Sequence, residues 1–205
     1  MGRWVLKEAC RQTRELQERC GPAEAPLTVG VNLSARQLQA ADLVEDVSIA
    51  LSESGLSPQA LLLEITESAL IGDACATVLQ DLKALGVKLA IDDFGKGYSS
   101  LCYLEHFPVD ALKIDRSFVG RLGQDATGTA LVSAVIGLAR ALGLETVAEG
   151  VETADQLQHL LDLGCHLAQG FYFELPLEPE ALSKLLQVSP ATGGLEKLEL
   201  AHQRL

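Results

Sequence analysis

The chain has 205 residues, 48% of them hydrophobic, so it can bury a large core and does not have the composition of a disordered protein. Its formal net charge of −12 excludes nucleic-acid polymers and anionic membranes as default partners, because like charges repel. The five cysteines are scattered, which is typical of a reducing compartment and predicts a cytoplasmic location. No signal peptide is visible, and the longest apolar run, residues 129–139, is too short to span a membrane.

Helical and strand-like segments alternate along the chain. A helical pattern over residues 4–20 comes first, and later helices are predicted at 75–85, at 127–143 and from Pro179 onward. Six short apolar segments between them are predicted strands: 27–34, 60–68, 87–93, 111–115, 144–150 and 166–173. The pairs Ser34/Gln37 and Thr153/Gln156 have the spacing of capping boxes that begin helices.

This alternation predicts a parallel sheet covered by helices on both faces. Two architectures fit, an open doubly wound sheet and a (β/α) barrel of the TIM type. Six polar residues close the apolar runs, 20 to 36 residues apart: Asn32, Glu64, Asp92, Lys113, Glu149 and Gln169. Such spacing is near the roughly 30 residues of one βα unit, and a barrel brings all strand ends into one ring. No G-x-G-x-x-G follows the first strand, so we favour the barrel.

Several carboxylates on one barrel rim would repel each other unless a cation lies between them. Glu67 and Asp93 lie near the strand ends that Glu64, Asp92 and Glu149 close. Oxygen ligands of this kind favour Mg²⁺ or Mn²⁺, and the ring contains no histidine or cysteine, which makes zinc less suitable. The sequence therefore predicts a site for one or two metal ions, with Lys113 as a fixed cation for an anionic group. The glycine-bracketed turn at residues 95–97 is expected to move over the substrate.

Six ordered motifs, "VNLSARQL", "LEITES", "AIDDFGKGYSSL", "LKIDRSFV", "TVAEGVET" and "AQGFYF", carry a resemblance to a known family. Together they resemble the EAL-domain family of bacterial cyclic di-GMP phosphodiesterases, over almost the whole chain. The resemblance implies a metal-dependent barrel that hydrolyses cyclic di-GMP to linear pGpG. It also implies a homodimer, or attachment to other domains of a longer signalling protein.

The resemblance assigns roles by position. It implies that the metal ligands are Asn32, Glu64, Asp92 and Asp93. Lys113 resembles the lysine beside the metals and the attacking water, and Glu149 resembles the glutamate proposed as general base or metal partner. The resemblance thus implies that Glu149, Lys113 and Asp93 are catalytic residues. The loop after "IDDFG" resembles one held by Glu67, and the substrate-side residues are Gln169 and Glu152.

The sequence also departs from the family pattern. The signature Glu-Ala-Leu strand is not seen, and six strands are visible where the family has eight, so we expect a barrel incomplete at the N-terminus. The "EAL" at 180–182 lies on the last predicted helix and is a coincidence of letters. Leu175 replaces a common basic residue, and Lys96 replaces a small one. We expect a barrel domain over residues 1–187, with a linker and short amphipathic helix over 188–205.

Three interpretations stay open at this point. The chain is an enzyme, a non-catalytic cyclic di-GMP receptor or protein-interaction module derived from an EAL domain, or a fragment of a longer protein. The remaining metal-site residues favour an enzymatic ancestry. The two missing strands, and with them the signature glutamate, favour slow hydrolysis or none by the chain as given.

Overall fold

The structure, a computed structural model, describes residues 2–20, 27–70, 74–95, 104, 107–188 and 199–200. The strands in these ranges are β1 (Val29–Leu33), β2 (Leu61–Thr66), β3 (Lys88–Phe94), β4 (Ala111–Ile114), β5 (Glu145–Glu149), β6 (Leu167–Gln169) and β7 (Glu199–Leu200). The α-helices are α1 (Gly2–Cys20), α2 (Ala35–Leu38), α3 (Leu43–Ser54), α4 (Ala74–Ala84), α5 (Arg116–Val119), α6 (Ala126–Leu142), α7 (Ala154–Leu163) and α8 (Pro179–Val188). Two 3₁₀ turns, Pro58–Ala60 and Glu67–Leu70, flank β2.

The strands pair in parallel and in chain order from β1 to β7. Six of them, β1 to β6, alternate with helices, which is the arrangement of a (β/α) barrel of the TIM type. Within the described ranges β1 and β7 do not pair with each other, so the barrel is incomplete. The predicted fold class and the six predicted strands are therefore confirmed. The sixth is shorter than predicted, because residues 171–173 form a turn in which the Phe173 amide donates to the carbonyl of Gly170.

Alternation along the strands separates an outer core from an inner layer. Leu61, Leu63 and Ile65 of β2 belong to the main hydrophobic core. Leu62 faces the opposite side and packs in a second cluster with Ala90 and Ala111 of the neighbouring strands. Successive side chains of a strand point to opposite faces, so the residues two positions later, such as Glu64, lie on that same inner face. The inner layer therefore has an apolar floor beneath a polar layer at the carboxyl ends.

The helix-capping predictions are confirmed at both capping boxes, Ser34/Gln37 and Thr153/Gln156. Gly143 ends α6 in the left-handed conformation, as its position in the sequence predicts. The helix after Ser34 is a single turn, and the longer α3 follows it. The start of α3 was not predicted, although Asp42 at its N-cap is of a residue type that this position prefers. Its side chain makes no capping hydrogen bond.

The C-terminal segment differs from the expectation where it is described. Helix α8 begins at Pro179, as predicted. Glu199–Leu200 form a strand that pairs with β6, where the amphipathic pattern predicts a helix. The other residues of that predicted helix lie outside the described residues, and the division at residue 187 stays a prediction. None of the described helices combines the length and apolar character needed to cross a membrane.

Candidate active site

A buried ammonium group lies at the centre of the site. Lys113 on β4 is 1% exposed, and its Nζ lies 2.6 Å from Glu64 Oε2 and 2.6 Å from Glu149 Oε1. Asp92 Oδ1 is 3.5 Å from the same nitrogen. Strands β2, β3 and β5 thus each direct one carboxylate at the lysine of β4. The structure therefore brings these strand ends together, as the sequence predicts.

The charges around Lys113 do not balance. Glu64, Asp92 and Glu149 are all buried, and three formal negative charges face one positive charge within this set of ion pairs. Burying an uncompensated carboxylate is costly, so such a group normally acquires a counter-ion. An excess of about two negative charges matches a divalent cation.

The pKa of Lys113 is raised above its ordinary value. Burial acts to lower this pKa, because it disfavours the charged amine. The attraction of Glu64, Glu149 and Asp92 acts in the opposite direction and outweighs burial. Lys113 is therefore a permanent cation at neutral pH.

Gln169 holds Glu149 from the other side. Its Nε2 donates to Glu149 Oε1 at 2.7 Å, and the two residues are directly paired in the β5–β6 ladder. Glu149 Oε1 thus accepts from both Gln169 and Lys113, which fixes the orientation of the carboxylate. Gln169 Oε1 is buried and has no hydrogen-bond partner within the described part of the chain. A buried polar atom normally has a partner, such as an ordered water, a cation or a ligand donor.

The two adjacent aspartates are arranged by an unusual backbone conformation. Asp93 has φ of 56°, in the left-handed region that few residues other than glycine adopt. Its amide donates to Asp92 Oδ1 at 2.9 Å. One oxygen each of Asp92, Asp93 and Glu149 lies within 4.8 Å of the others. Strain of this kind is concentrated at functional sites, and here it brings two neighbouring carboxylates to one position.

These observations test whether a metal fits. The grouped oxygens belong to the carboxylates of Asp92, Asp93 and Glu149, which are hard ligands that suit Mg²⁺, Mn²⁺ or Ca²⁺. The excess negative charge around Lys113 has the matching sign. The residues present therefore fit a divalent cation.

Glu67 reaches the chain that leaves β3. Its Oε2 accepts from the backbone amide of Gly95 at 3.1 Å, which agrees with the predicted loop anchor. The remaining residues of the predicted turn, Lys96 and Gly97, lie outside the described residues, so its motion stays a prediction.

Two predicted site residues are exposed, whereas the carboxylates around Lys113 are buried. Asn32 is exposed on β1, although it is level with Glu64 in the strand register. Glu152 is exposed beyond β5, and its backbone amide donates to Gln156 Oε1 at 2.7 Å. The roles of both residues, as ligand and as substrate contact, stay predictions.

Asp115 belongs to the framework of the site but was not among the predicted site residues. This aspartate is 2% exposed, and its side chain caps α5 by accepting from the Ser117 amide at 2.9 Å. It lies two residues after Lys113 and connects β4 to α5. The signal in the sequence was the Asp-x-Ser spacing directly after a buried strand, which is typical of a capped turn.

The chain is similar to a family model and to curated proteins. A family model, EAL domain, matches residues 1–176. The chain is 47% identical over 184 residues to the bifunctional diguanylate cyclase/cyclic di-GMP phosphodiesterase MucR of Pseudomonas aeruginosa, covering 89% of this chain and 26% of MucR. It spans about a quarter of the length of the curated relatives it matches.

Solved structures show the same arrangement of the chain. The PaMucR phosphodiesterase in complex with c-di-GMP superposes with a TM-score of 0.83 at 46% identity, over 88% of this chain and 73% of that one. BlrP1 of Klebsiella pneumoniae, in a manganese/cy-diGMP complex, has a TM-score of 0.71 at 33% identity, over 83% of this chain and 44% of that one. A calcium/cy-diGMP complex of BlrP1 is also similar, with a TM-score of 0.73 at 33% identity and coverage of 83% and 43%.

Proposed function

Because the chain belongs to the EAL domain family, we propose that it binds cyclic di-GMP and hydrolyses it to linear pGpG with the help of a divalent cation. The observation that carries this proposal is the buried cluster in which Lys113 meets three carboxylates at the carboxyl ends of neighbouring strands. A TIM-type barrel places its reacting groups at that end. The named activity of MucR and the cyclic di-GMP complexes of PaMucR and BlrP1 support the choice of substrate.

The cation would be held by Asp92, Asp93 and Glu149, whose oxygens already lie together, with Glu64 and Asn32 as further ligands. When bound, a divalent ion supplies Lewis-acid polarisation of the phosphate oxygen. Mg²⁺ or Mn²⁺ is our proposal for this chain, and the manganese complex of BlrP1 supports it.

Lys113 has two tasks in this proposal. Its charge is fixed by the surrounding carboxylates, so it offers a permanent positive group to a phosphate that carries a negative charge. Its Nζ also holds Glu64 and Glu149 on opposite sides, each at 2.6 Å. A donor aimed at charge that develops in the transition state commonly contributes on the order of 100- to 1,000-fold in rate.

Glu149 is the proposed general base, which takes the proton of the attacking water. The two donors on its Oε1, Lys113 Nζ and Gln169 Nε2, prevent rotation of the carboxylate. A positioned base of this kind contributes about 100- to 10,000-fold. Gln169 and Glu152 are the proposed contacts on the substrate side.

Product chromatography tests the proposal. The chain is incubated with cyclic di-GMP and Mn²⁺, and pGpG is quantified for the parent, Glu149→Gln and Glu145→Gln. Glu145 is an exposed glutamate at the opposite end of the same strand, so it is a matched control. We expect Glu149→Gln to lose at least about 100-fold in rate and Glu145→Gln to match the parent. The slow turnover expected from the sequence remains a prediction that the same assay measures.

A parent chain that binds cyclic di-GMP but forms no pGpG with either Mg²⁺ or Mn²⁺ would contradict the enzymatic proposal and identify a receptor. A homodimer, or attachment to other domains of a longer signalling protein, is a separate proposal. The two activities named for MucR, and its greater length, support the second of these.

A further inference from the structure

A glycine directly follows each of two site residues at the rim of the barrel. Gly150 follows Glu149, and a Cβ atom built on it would lie 2.5 Å from Cβ of Arg116 and 3.4 Å from its Cα. Gly170 follows Gln169, and its Cβ would lie 2.2 Å from the backbone oxygen of Val151. Real Cβ atoms do not approach other heavy atoms at 2.2–2.5 Å. The missing side chains therefore let the neighbouring loop pack directly on the backbone.

The contact at Gly150 links β5 to the chain that leaves β4. Arg116 is the first residue of α5, and this helix packs against β5. The buried Asp115 caps α5, and Lys113 lies only two residues before that cap. The position of Arg116 on Gly150 thus sets how closely the ends of β4 and β5 approach. Lys113 Nζ and Glu149 Oε1 meet at 2.6 Å between these two ends.

The contact at Gly170 links β6 to β5 in the same way. The amide of Val151 donates to the carbonyl of Gln169 at 3.0 Å, and the amide of Tyr172 donates to the carbonyl of Val151 at 2.9 Å. These two bonds continue the β5–β6 pairing past the last residues of the strands. Gln169, whose carbonyl accepts the first of these bonds, also donates through Nε2 to Glu149 Oε1 at 2.7 Å.

We propose that Gly150 and Gly170 are positioning residues of the phosphodiester hydrolysis, and that they set the spacing of Lys113, Glu149 and Gln169. This inference rests on the proposed function. An alanine at Gly150 would force the ends of β4 and β5 apart by up to about an ångström, and a misplacement of that size costs about 100-fold in rate. For Gly150 the loss appears in kcat, because the contact with Arg116 lies between the strand ends that carry Lys113 and Glu149, and both residues act on the reaction itself.

Gly150→Ala has a matched control in Gly143→Ala. Both glycines have φ of 70°, so an alanine at either site carries the same backbone strain. A Cβ on Gly143 would meet no atom within 4 Å, and Gly143 lies at the end of α6, away from the carboxylate cluster. We expect kcat for cyclic di-GMP to fall by about 100-fold in Gly150→Ala, with KM little changed. Gly143→Ala should retain the parent kcat.

A second-site change separates positioning from general damage. The closest clash at Gly150 is with Cβ of Arg116, so Arg116→Gly removes the atom that the new methyl group meets. The double variant Gly150→Ala/Arg116→Gly should recover most of the lost kcat. Circular dichroism at the assay temperature confirms that each variant is folded. Equal kcat in Gly150→Ala and Gly143→Ala would overturn the proposal, and so would a double variant no faster than Gly150→Ala.

Binding of Mn²⁺ alone, measured by calorimetry, gives a readout that needs no turnover. Gly150→Ala displaces Glu149 from Asp92 and Asp93, so Mn²⁺ should bind it more weakly than it binds Gly143→Ala, and the double variant should restore the affinity. A parent chain that neither binds nor cleaves cyclic di-GMP would refute the proposed function but leave this comparison valid. Equal Mn²⁺ affinity in all variants would refute the positioning role by itself.

Discussion

Replacing Lys113 by methionine removes the ammonium and leaves Glu64, Asp92 and Glu149 buried without it. Breaking a buried ion pair by removing one partner costs about 3–5 kcal/mol of folding free energy, because the remaining charge is uncompensated. Both close contacts of Lys113, at 2.6 Å, are nearly inaccessible to solvent, so this range applies without a discount for screening. We expect Lys113→Met to lose about 3–5 kcal/mol in the free energy of unfolding when a chelator is present.

The control is Lys83→Met. Lys83 Nζ lies 2.7 Å from Asp110 Oδ1, but both side chains are about 30% exposed. A pair of this kind contributes only about 0–1 kcal/mol. Urea denaturation followed by circular dichroism measures both variants. A loss in Lys113→Met no larger than that in Lys83→Met would refute the interpretation of Lys113 as the internal counter-ion of the site.

Metal binding should change in the opposite direction to stability. The Lys113 ammonium repels a divalent cation held by the same carboxylates. Two unit charges about 4 Å apart interact by about 4 kcal/mol at an effective dielectric constant of about 20, and about 1.4 kcal/mol changes a binding constant tenfold. Lys113→Met should therefore bind Mn²⁺ at least about tenfold more tightly than the parent, while it hydrolyses cyclic di-GMP more slowly. Weaker Mn²⁺ binding by the variant would contradict this account.

The pH dependence of this stabilisation follows from the raised pKa of Lys113. A lysine whose pKa is higher in the folded state stabilises the fold fully at pH values below its unfolded pKa. That contribution is lost as the pH rises through the folded pKa. The difference in unfolding free energy between the parent and Lys113→Met should thus be constant through neutral pH and decrease only above the ordinary lysine value of 10.5.

Three further predictions concern separate parts of the chain. Asp92→Asn should weaken Mn²⁺ binding by at least about tenfold, because a charged ligand becomes neutral. An unchanged Mn²⁺ affinity, measured by calorimetry, would show that Asp92 is not a ligand. Glu67→Ala should speed hydrogen exchange of the Gly95 amide, whose acceptor it removes; an unchanged exchange rate would show that Glu67 is not the anchor. Burial raises the pKa of the Cys10 thiol to about 11, so at pH 8 iodoacetamide should alkylate it far more slowly than the partly exposed Cys20, and equal labelling by mass spectrometry would contradict that burial.

The sequence predicted the site well where strand periodicity determines side-chain direction. Glu64, Asp92 and Lys113 each close a buried strand, and parallel strands bring such residues to one edge of the sheet. The distances within the cluster were not predictable, because they depend on how neighbouring strands are staggered. Asn32 lies on β1, which has one partner strand, β2, within the described residues, and its side chain is exposed. The exposure of a residue at such an edge depends on packing that strand periodicity does not show.

The C-terminal segment shows a different limit of sequence reasoning. The pattern over 195–205 is amphipathic with helical spacing, yet Glu199–Leu200 pair with β6. Strand pairing depends on an available edge as well as on the sequence of the strand itself. The edge of β6 in this structure is such an acceptor, and its availability cannot be inferred from local periodicity.

The fold and the site depend on one pattern of alternation. Leu62, Ala90 and Ala111 form the apolar floor of the inner layer, and the residue two positions after each carries a charge. A slip of one residue in β2 or β4 would turn Glu64 or Lys113 toward the outer helices and place an apolar residue in the site. The cost of burying that charge in the outer core opposes the slip. The charges that would support catalysis therefore also specify the register of the sheet. This agrees with the burial of Lys113, which is 1% exposed.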